Sequence, residues 1–289
     1  STVLASRSPI VIVPSMDEDM YLNEVTQNNI SKLKEYGYFI LKPESGELAS
    51  GLRGIGRMPE PQTIYQYTVD FLKDKKKDLT GKKVLVTAGP TYEPIDDVRF
   101  IGNYSSGKMG FQIARAASLR GAEVTLITGP SPLETPLHVN RINVNTSEEM
   151  FNSVKKEYSD KDYIIMSAAI ADFKPKEKFK GKIKKEKSNG LVIETEKTKD
   201  VLEYLGKNKD GFVLVGFALE TENEIENARV KIKRKNLDLV VVNNPNTKGA
   251  GFGTDTNVVT LIDKELKETR LEKMRKFEIA NVILDKIVK

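Results

Sequence analysis

The sequence predicts an α/β protein: a Rossmann-like, doubly wound, mostly parallel sheet, preceded by a smaller and incomplete N-terminal segment. Three observations predict it. Short apolar runs at 84–88 (VLVTA), 163–168 (YIIMSA), 212–218 (FVLVGFA) and 239–243 (LVVVN) read as strands buried on both faces. Segments with apolar residues at helical spacing separate them, so strands and helices alternate through 83–289. Hydrophobic residues make up 39% and charged residues 30% of the 289, the balance of a globular chain.

Residues 1–73 read as part of a larger unit, 74–82 as a lysine-rich linker, and 83–289 as the sheet domain. Residues 9–14 (PIVIVP) predict a strand, 26–36 a short amphipathic helix and 38–41 another strand. Three such elements bury too little surface to stand alone, and are expected to dock on further sequence, a subunit or the next domain. The four glycines of 44–58, without periodicity, predict a shaped loop, and 63–71 a helix.

The first βαβ unit is strand 84–88, helix 109–119 closed by Gly121, and strand 123–127. Its first connection, 89–107, far exceeds the roughly 2–6 residues usual for such loops, which marks it as functional. It lies at the carboxyl end of a strand, where an open α/β sheet binds ligands. Residues 141–144 predict a third strand, and Thr146 with Glu149 a capping box for a helix to about Tyr158. Strand 163–168 runs into small residues and Asp172. The eight lysines of 174–187 read as a solvated face or as a phosphate-grasping flap. An edge strand at 191–195 follows, then a helix from 198–200 through Leu205 whose first-turn amides suit an anion. Helix 223–236 sets Lys231 and Lys235 one turn apart on one face, pointing in one direction. A glycine-rich loop at 248–254, a strand at 258–262 and an amphipathic helix at 271–288, covering one sheet face, complete the chain.

With no cysteine and one histidine, the chain has no thiolate nucleophile, cysteine–zinc site or multi-histidine metal site. His138 follows Pro136 in a polar linker and reads as a solvated loop residue. A formal net charge of +5 suits phosphate ligands but is too small and dispersed to argue for nucleic acid. No run approaches the ~18 apolar residues of a membrane span and no signal peptide opens the chain, so no membrane and a cytoplasmic setting are expected.

Neither the three-glycine dinucleotide turn nor a Walker A sequence is present. Tyr104 and Lys108 fit the Tyr-x-x-x-Lys pair of nicotinamide-dependent short-chain reductases, but at a loop–helix junction after the first strand. The richer signal is Ser105-Ser106-Gly107-Lys108: hydroxyls and free amides at a helix start beside a lysine form an anion site. Upstream, Asn103 and Arg99 offer an amide and a guanidinium to a carboxylate or phosphate.

The stretches AGPTYEPIDDVRFIGNYSSGKMG, SAAIADFKP with GKIKK, VGFALETEN with Lys231 and Lys235, and NLDLVVVNN with GAGFGTDTN closely resemble the phosphopantothenate–cysteine ligase family of coenzyme A biosynthesis. The resemblance covers nearly all of 81–265. Residues 7–60, through PSMDEDMY and ESGELASGLRGIGRMPEP, resemble the C-terminal part of the flavoprotein decarboxylase fused ahead of that ligase, so the first segment is expected to be flavodoxin-like and truncated.

The resemblance implies activation of 4′-phosphopantothenate by CTP with Mg²⁺, release of pyrophosphate, then amide formation with L-cysteine, in a homodimer. It implies that Asn103 and Arg99 serve the acyl-nucleotide and Lys182 the activation step. Nucleotide positions are Met166, Ser167, Ala168, Asp172, Lys182, Lys199, Asp200, Val201, Leu202, Phe217, Lys231 and Lys235. Gly89, with Ser105 to Lys108, is assigned to phosphate or substrate; no metal ligand is assigned. Four departures from the family stand out. Tyr92 replaces an arginine, and Thr198-Lys199-Asp200 replaces Asn-Pro-Asp. Asp17 replaces an asparagine and Ser50 the reactive cysteine, so no decarboxylase activity is expected, and FMN only with a complete decarboxylase domain. The rival readings are a nicotinamide-dependent reductase using Tyr104 and Lys108, and a non-catalytic nucleotide sensor.

Overall fold

A computed structural model of the chain describes residues 10–36, 38–73, 77–183, 191–219, 222–244 and 253–288. The chain divides into two compact units, Ser1–Lys75 and Lys76–Lys289. In the first, β1 (Val11–Ile12) pairs in parallel with β2 (Phe39–Ile40). Between them lie α1 (Glu18–Leu22), which no periodicity predicts, and α2 (Glu24–Glu35). The Asn23 side chain accepts from Val25 N at 2.9 Å and so starts α2 earlier than its apolar spacing does.

Residues 44–58 are a hairpin and not a shaped loop: β3 (Glu44–Glu47) pairs antiparallel with β4 (Arg53–Arg57). The cause is tertiary. Glu18 accepts from Ile55 N at 2.9 Å, a tie that the glycine-rich sequence does not advertise. Then α3 (Pro61–Lys73) opens on a proline at its first helical position. Among the described residues the buried apolar side chains of this unit include Ile30, Ile40 and Leu48.

The second unit begins with β5 (Lys83–Ala88). The long connection after it is partly regular, folding into a hairpin of β6 (Tyr92–Pro94) and β7 (Phe100–Gly102) before α4 (Lys108–Leu119) and β8 (Glu123–Thr128). Next come β9 (Val139–Asn143), α5 (Ser147–Glu157) and β10 (Tyr163–Met166). Thr146 caps α5 by accepting from Glu149 N at 3.2 Å. β11 (Phe173–Pro175) and β12 (Thr195–Lys197) form an antiparallel ribbon of their own, so the edge strand predicted at 191–195 lies later and outside the main sheet.

The chain continues through α6 (Val201–Lys207), β13 (Val213–Leu219), α7 (Glu224–Arg234) and β14 (Leu239–Asn243). β15 (Thr256–Asn257), β16 (Val259–Asp263), β17 (Glu268–Arg270), β18 (Met274–Arg275) and α8 (Lys276–Ile287) follow. The helix predicted over 271–288 starts only at Lys276, because residues 274–275 pair with β15 and Glu278 accepts from Arg275 N at 3.0 Å. Of the predicted glycine-rich loop, 248–252 lie outside the described residues. His138 is exposed, with φ +59°.

The main sheet runs β17-β16-β14-β13-β10-β5-β8-β9, with one strand, β16, running opposite to the rest and so pairing antiparallel with both β14 and β17. Alternate residues face opposite layers. Val84, Val86 and Ala88 join the core under α4 and α8, while Leu85, Ile164 and Leu214 join the core under α5, α6 and α7. Two covered faces explain the uninterrupted apolar strands. From β5 the chain winds outward through β8 and β9, then returns to β10 on the other side of β5. That reversal opens a crevice between the carboxyl ends of β5 and β10.

Candidate functional site

The crevice is lined by backbone stitched across it. Ala169 N donates to Gly89 O at 2.9 Å and Thr91 N to Ala169 O at 3.3 Å, extending the β5–β10 register past the strands. Buried Thr87 and Thr91 accept from Ala168 N at 3.2 Å and Ala171 N at 3.0 Å. The Asn103 amide reaches over to donate to Ile170 O at 3.0 Å, which fixes its orientation at the end of β7. Asn103 thus stands over the small residues that end β10.

The turn of the β6–β7 hairpin grips the lysine-rich arm. Asp96, with no exposed side-chain surface, accepts from Val98 N at 2.8 Å and Arg99 N at 2.7 Å, and its other oxygen accepts from Ile183 N at 3.1 Å. Burial alone raises the pKa of this carboxyl, but the three backbone donors and the Arg99 guanidinium outweigh it, and the net shift is downward. Arg99 donates to Ile183 O at 2.8 Å, Phe179 N to Ile95 O at 2.9 Å, and Gly181 N to Asp97 at 3.1 Å. Lys178 pairs with Asp97 at 2.8 Å and holds that carboxyl below the usual range. Lys182, exposed, therefore sits on an arm docked to the same turn that carries Arg99. Arg99 precedes Asn103 by four residues, ~13 Å of extended chain. An open depression of about 430 Å³ beside the hairpin is lined by Tyr92, Arg99, Phe100, Asn145 and Lys178 among others. Tyr92 stacks on Phe100, with ring centroids 3.9 Å apart.

At the α4 end, Gly107 adopts φ +76°, a left-handed conformation that suits glycine. A Cβ there would lie 3.3 Å from Gly89 N, so the two ends of the long connection meet. Ser105 Oγ accepts from Gly107 N at 3.3 Å, and Ser106 O accepts from Ser131 Oγ at 3.3 Å. Lys108, the first residue of α4, donates to Gly253 O at 2.6 Å and Asp255 at 2.7 Å. Tyr104 is 84% exposed and precedes the helix, with the Gly107 turn intervening, so the two members of the reductase-like pair do not share a helical face.

The remaining predicted positions border the carboxyl ends of β10 and β13. Ser167 Oγ donates to Thr87 O at 2.6 Å beside Met166 and Ala168, and Asp172 O accepts from Thr198 N at 2.9 Å. Asp200 caps α6 by accepting from Glu203 N at 2.8 Å, with Val201 buried and Leu202 half-buried behind it. Lys199 lies 5.1 Å from the centroid of the Phe151 ring and 3.5 Å from Glu148. Lys231 donates to Phe217 O at 2.7 Å. Lys235 goes elsewhere: 3% exposed, it is held by Asp200 at 2.5 Å and Glu203 at 2.6 Å. Its backbone N–H still closes the last turn of α7 on Lys231 O at 2.9 Å, so helical spacing is kept, and it is the two acids at the start of α6 that turn its ammonium away from that of Lys231.

Four residues that organise the crevice, Thr87, Thr91, Glu93 and Asp96, are given no role by the sequence, although the last three lie within the AGPTYEPIDDVRF stretch that carries the resemblance. Glu93 is buried and accepts from Ser147 N at 2.8 Å, tying the hairpin to the start of α5. The sole local cue is Asp96, whose side chain caps the amide two residues on, a turn signature. Among the described residues, no three His, Cys, Asp or Glu side chains converge as a metal cage, and no helix is long and apolar enough to cross a membrane.

Residues 79–289 match the family described as the DNA/pantothenate metabolism flavoprotein C-terminal domain, and residues 1–73 match the flavoprotein family. A "Cysteine/Cysteine sulfinic acid decarboxylase" from an unknown prokaryotic organism is 46% identical over 100% of this chain and 81% of its own. The "Coenzyme A biosynthesis bifunctional protein CoaBC" of Bacillus subtilis (strain 168) is 42% identical over 99% of this chain and 71% of its own. The crystal structure of the C-terminal domain of a CoaBC protein superposes with a TM-score of 0.63 at 40% identity, covering 73% of this chain and 96% of that one.

Proposed function

Because the chain belongs to the DNA/pantothenate metabolism flavoprotein C-terminal domain family, with a flavoprotein-family segment ahead of it, we propose that it is a phosphopantothenate–cysteine ligase. The carboxylate of 4′-phosphopantothenate attacks the α-phosphorus of CTP and pyrophosphate leaves. The cysteine amine then attacks the acyl carbon, loses a proton, and CMP departs with the C–O bond. A carboxylate is a poor electrophile, and the nucleotidyl ester gives its oxygen a stable way out.

One observation carries this reading. The Asp96–Arg99 turn docks the Lys182 arm through Ile183 and, along β7, delivers Asn103 to the carboxyl end of β10. The arm carrying the proposed phosphate cation thereby docks on the hairpin that carries the proposed acyl-end amide. Fixed amides and cations of this kind stabilise charge without reorganising. The α4 start, with Ser105, Ser106 and Lys108, suits the 4′-phosphate. Gly89 closes the back of that start, and the β10 and β13 ends with Asp172, Phe217 and Lys231 suit the nucleotide. Mg²⁺ would enter as a companion of the triphosphate, with Asp172 a carboxylate beyond the end of β10 that could meet it, and would offset phosphate charge.

Val98 at 60% exposure and Phe100 at 51% on the hairpin, with Phe173 at 49% on the adjacent ribbon, are apolar surface that a homodimer would cover. Sedimentation measures that state, and a monomer at working concentration removes it. We assign the first segment no decarboxylase activity and no FMN chemistry of its own. Ser50 carries a hydroxyl, not a thiol, and donates it to Asp17 at 2.8 Å. Carbon dioxide release from phosphopantothenoylcysteine, cysteine or cysteine sulfinate, with FMN supplied, would overturn that. The ligase test is pyrophosphate release with 4′-phosphopantothenate and CTP or ATP, with and without cysteine. Release that needs no phosphopantothenate counts against the ligase.

A further inference from the structure

Residues 253–255 are gripped by the first residues of two helices. Lys108 of α4 donates to Gly253 O at 2.6 Å and to Asp255 Oδ1 at 2.7 Å. Lys276 of α8, buried to 6% exposure, donates its ammonium to Thr254 O at 2.5 Å and its backbone N–H to Asp255 O at 2.9 Å. Two ammonium groups thus stand at two helix starts, where the helix dipoles disfavour cations, against one carboxylate whose side chain is 84% exposed. The local balance is one charge short of neutral. Burial first, and repulsion from Lys108 second, lower the pKa of Lys276, with Asp255 partly opposing. A phosphomonoester, carrying about −1.5 to −2 at neutral pH, matches this excess better than a carboxylate does.

Resting on the phosphate reading of the α4 start, we propose that Asp255 is a positioning residue that stands in for the substrate phosphate: the phosphate takes Lys108 from Asp255, and residues 253–255 let go of α4. The exchange is easy in one direction because the Asp255 carboxylate is already hydrated, so the pair it gives up shifts an equilibrium only ~2–5-fold. The Thr254 and Asp255 carbonyls remain tied to Lys276, so the segment loosens at its α4 side alone.

The experiment is calorimetric titration of the whole chain with inorganic phosphate and, separately, pantothenate, for the wild type, Asp255→Asn and Lys108→Met. Asp255→Asn is expected to bind phosphate ~2–5-fold tighter, with pantothenate affinity unchanged. In the wild type, phosphate should speed amide exchange at 253–255. Equal phosphate affinity in Asp255→Asn and wild type, or equal gains for phosphate and pantothenate, overturns the stand-in. If Lys108→Met binds phosphate as the wild type does, the phosphate reading of the α4 start falls as well. Pyrophosphate release tests the ligase independently of either.

Discussion

Gly110 offers the sharpest test of how the crevice is held. A Cβ at this position would lie 2.6 Å from the Cβ of Ala88, 2.6 Å from Ser167 Oγ and 2.9 Å from Thr87 O. Carbon–carbon contacts settle at about 3.5–4.0 Å, so the shortfall is ~1 Å. The strand side does not yield: Thr87 and Ala88 have no exposed surface, and β5 is hydrogen-bonded on both edges. The start of α4 must therefore move outward by ~1 Å, taking Lys108 with it. Gly110→Ala gains ~1 kcal/mol of helix propensity and loses ~1–3 kcal/mol to overpacking, for a net loss of up to ~2 kcal/mol. That lowers the melting temperature by a few degrees, ~2–4 °C per kcal/mol in a unit of this size. The catalytic cost is larger, since a ~1 Å misplacement of a positioned group costs on the order of 100-fold. Thermal melting and pyrophosphate release, measured on the same preparation, separate the two. A variant that melts at or above the wild type and turns over at full rate would refute the argument.

Three further outcomes are expected. Lys182→Gln should cut pyrophosphate release by ~10-fold or more while leaving the melting temperature unchanged, because the side chain is exposed; undiminished release removes it from the activation step. Asp96→Asn turns an amide N–H₂ toward a donor, either Ile183 N or the Val98 and Arg99 amides. It should therefore loosen the arm, seen as faster protease cleavage near 181–183 with slower turnover; cleavage at the wild-type rate would show the arm is held otherwise. In acid, Lys207 first and Lys235 second pull Glu203 down from 4.5 to about 2, while Lys161 first and Lys83 second pull Asp160 down from 3.8 to about 2. Unfolded chains take up these protons at higher pH, so both contributions are present above about 4.5 and vanish as pH falls through about 2. Water screens both side chains, so the fall is modest. Urea midpoints for Glu203→Gln should decline less over that window than those of the wild type, and an equal decline would contradict the pairing.

How much of this was legible in the sequence depends on where the stabilising contact lies along the chain. β5, β10, β13 and β14 announce themselves because each is buried on both faces by its own apolar run, and α4 because its small residues recur at the spacing that must pack on β5. The anion character of Ser105 to Lys108 is likewise local. Both hairpins escape such reading because their partners are remote: Glu18 reaches Ile55 across 37 residues, and Asp96 reaches Ile183 across 87. A period of two cannot show where glycine, proline and acid alternate, and the burial of Glu93 and Asp96 reverses what their chemistry predicts of a loop. Lys235 fails for a related reason. Periodicity fixes where a side chain leaves the helix and not where a four-carbon stem ends. Lys235 keeps its turn on Lys231, yet its ammonium is claimed by Asp200 and Glu203, 35 and 32 residues away. The residues proposed to do chemistry in this chain are thus mostly near-surface groups that sequence motifs can reveal. Those that aim them are buried polar groups, each satisfied by a backbone amide from another part of the chain. Further positioning residues are therefore expected among the buried acids and threonines beside the crevice between β5 and β10.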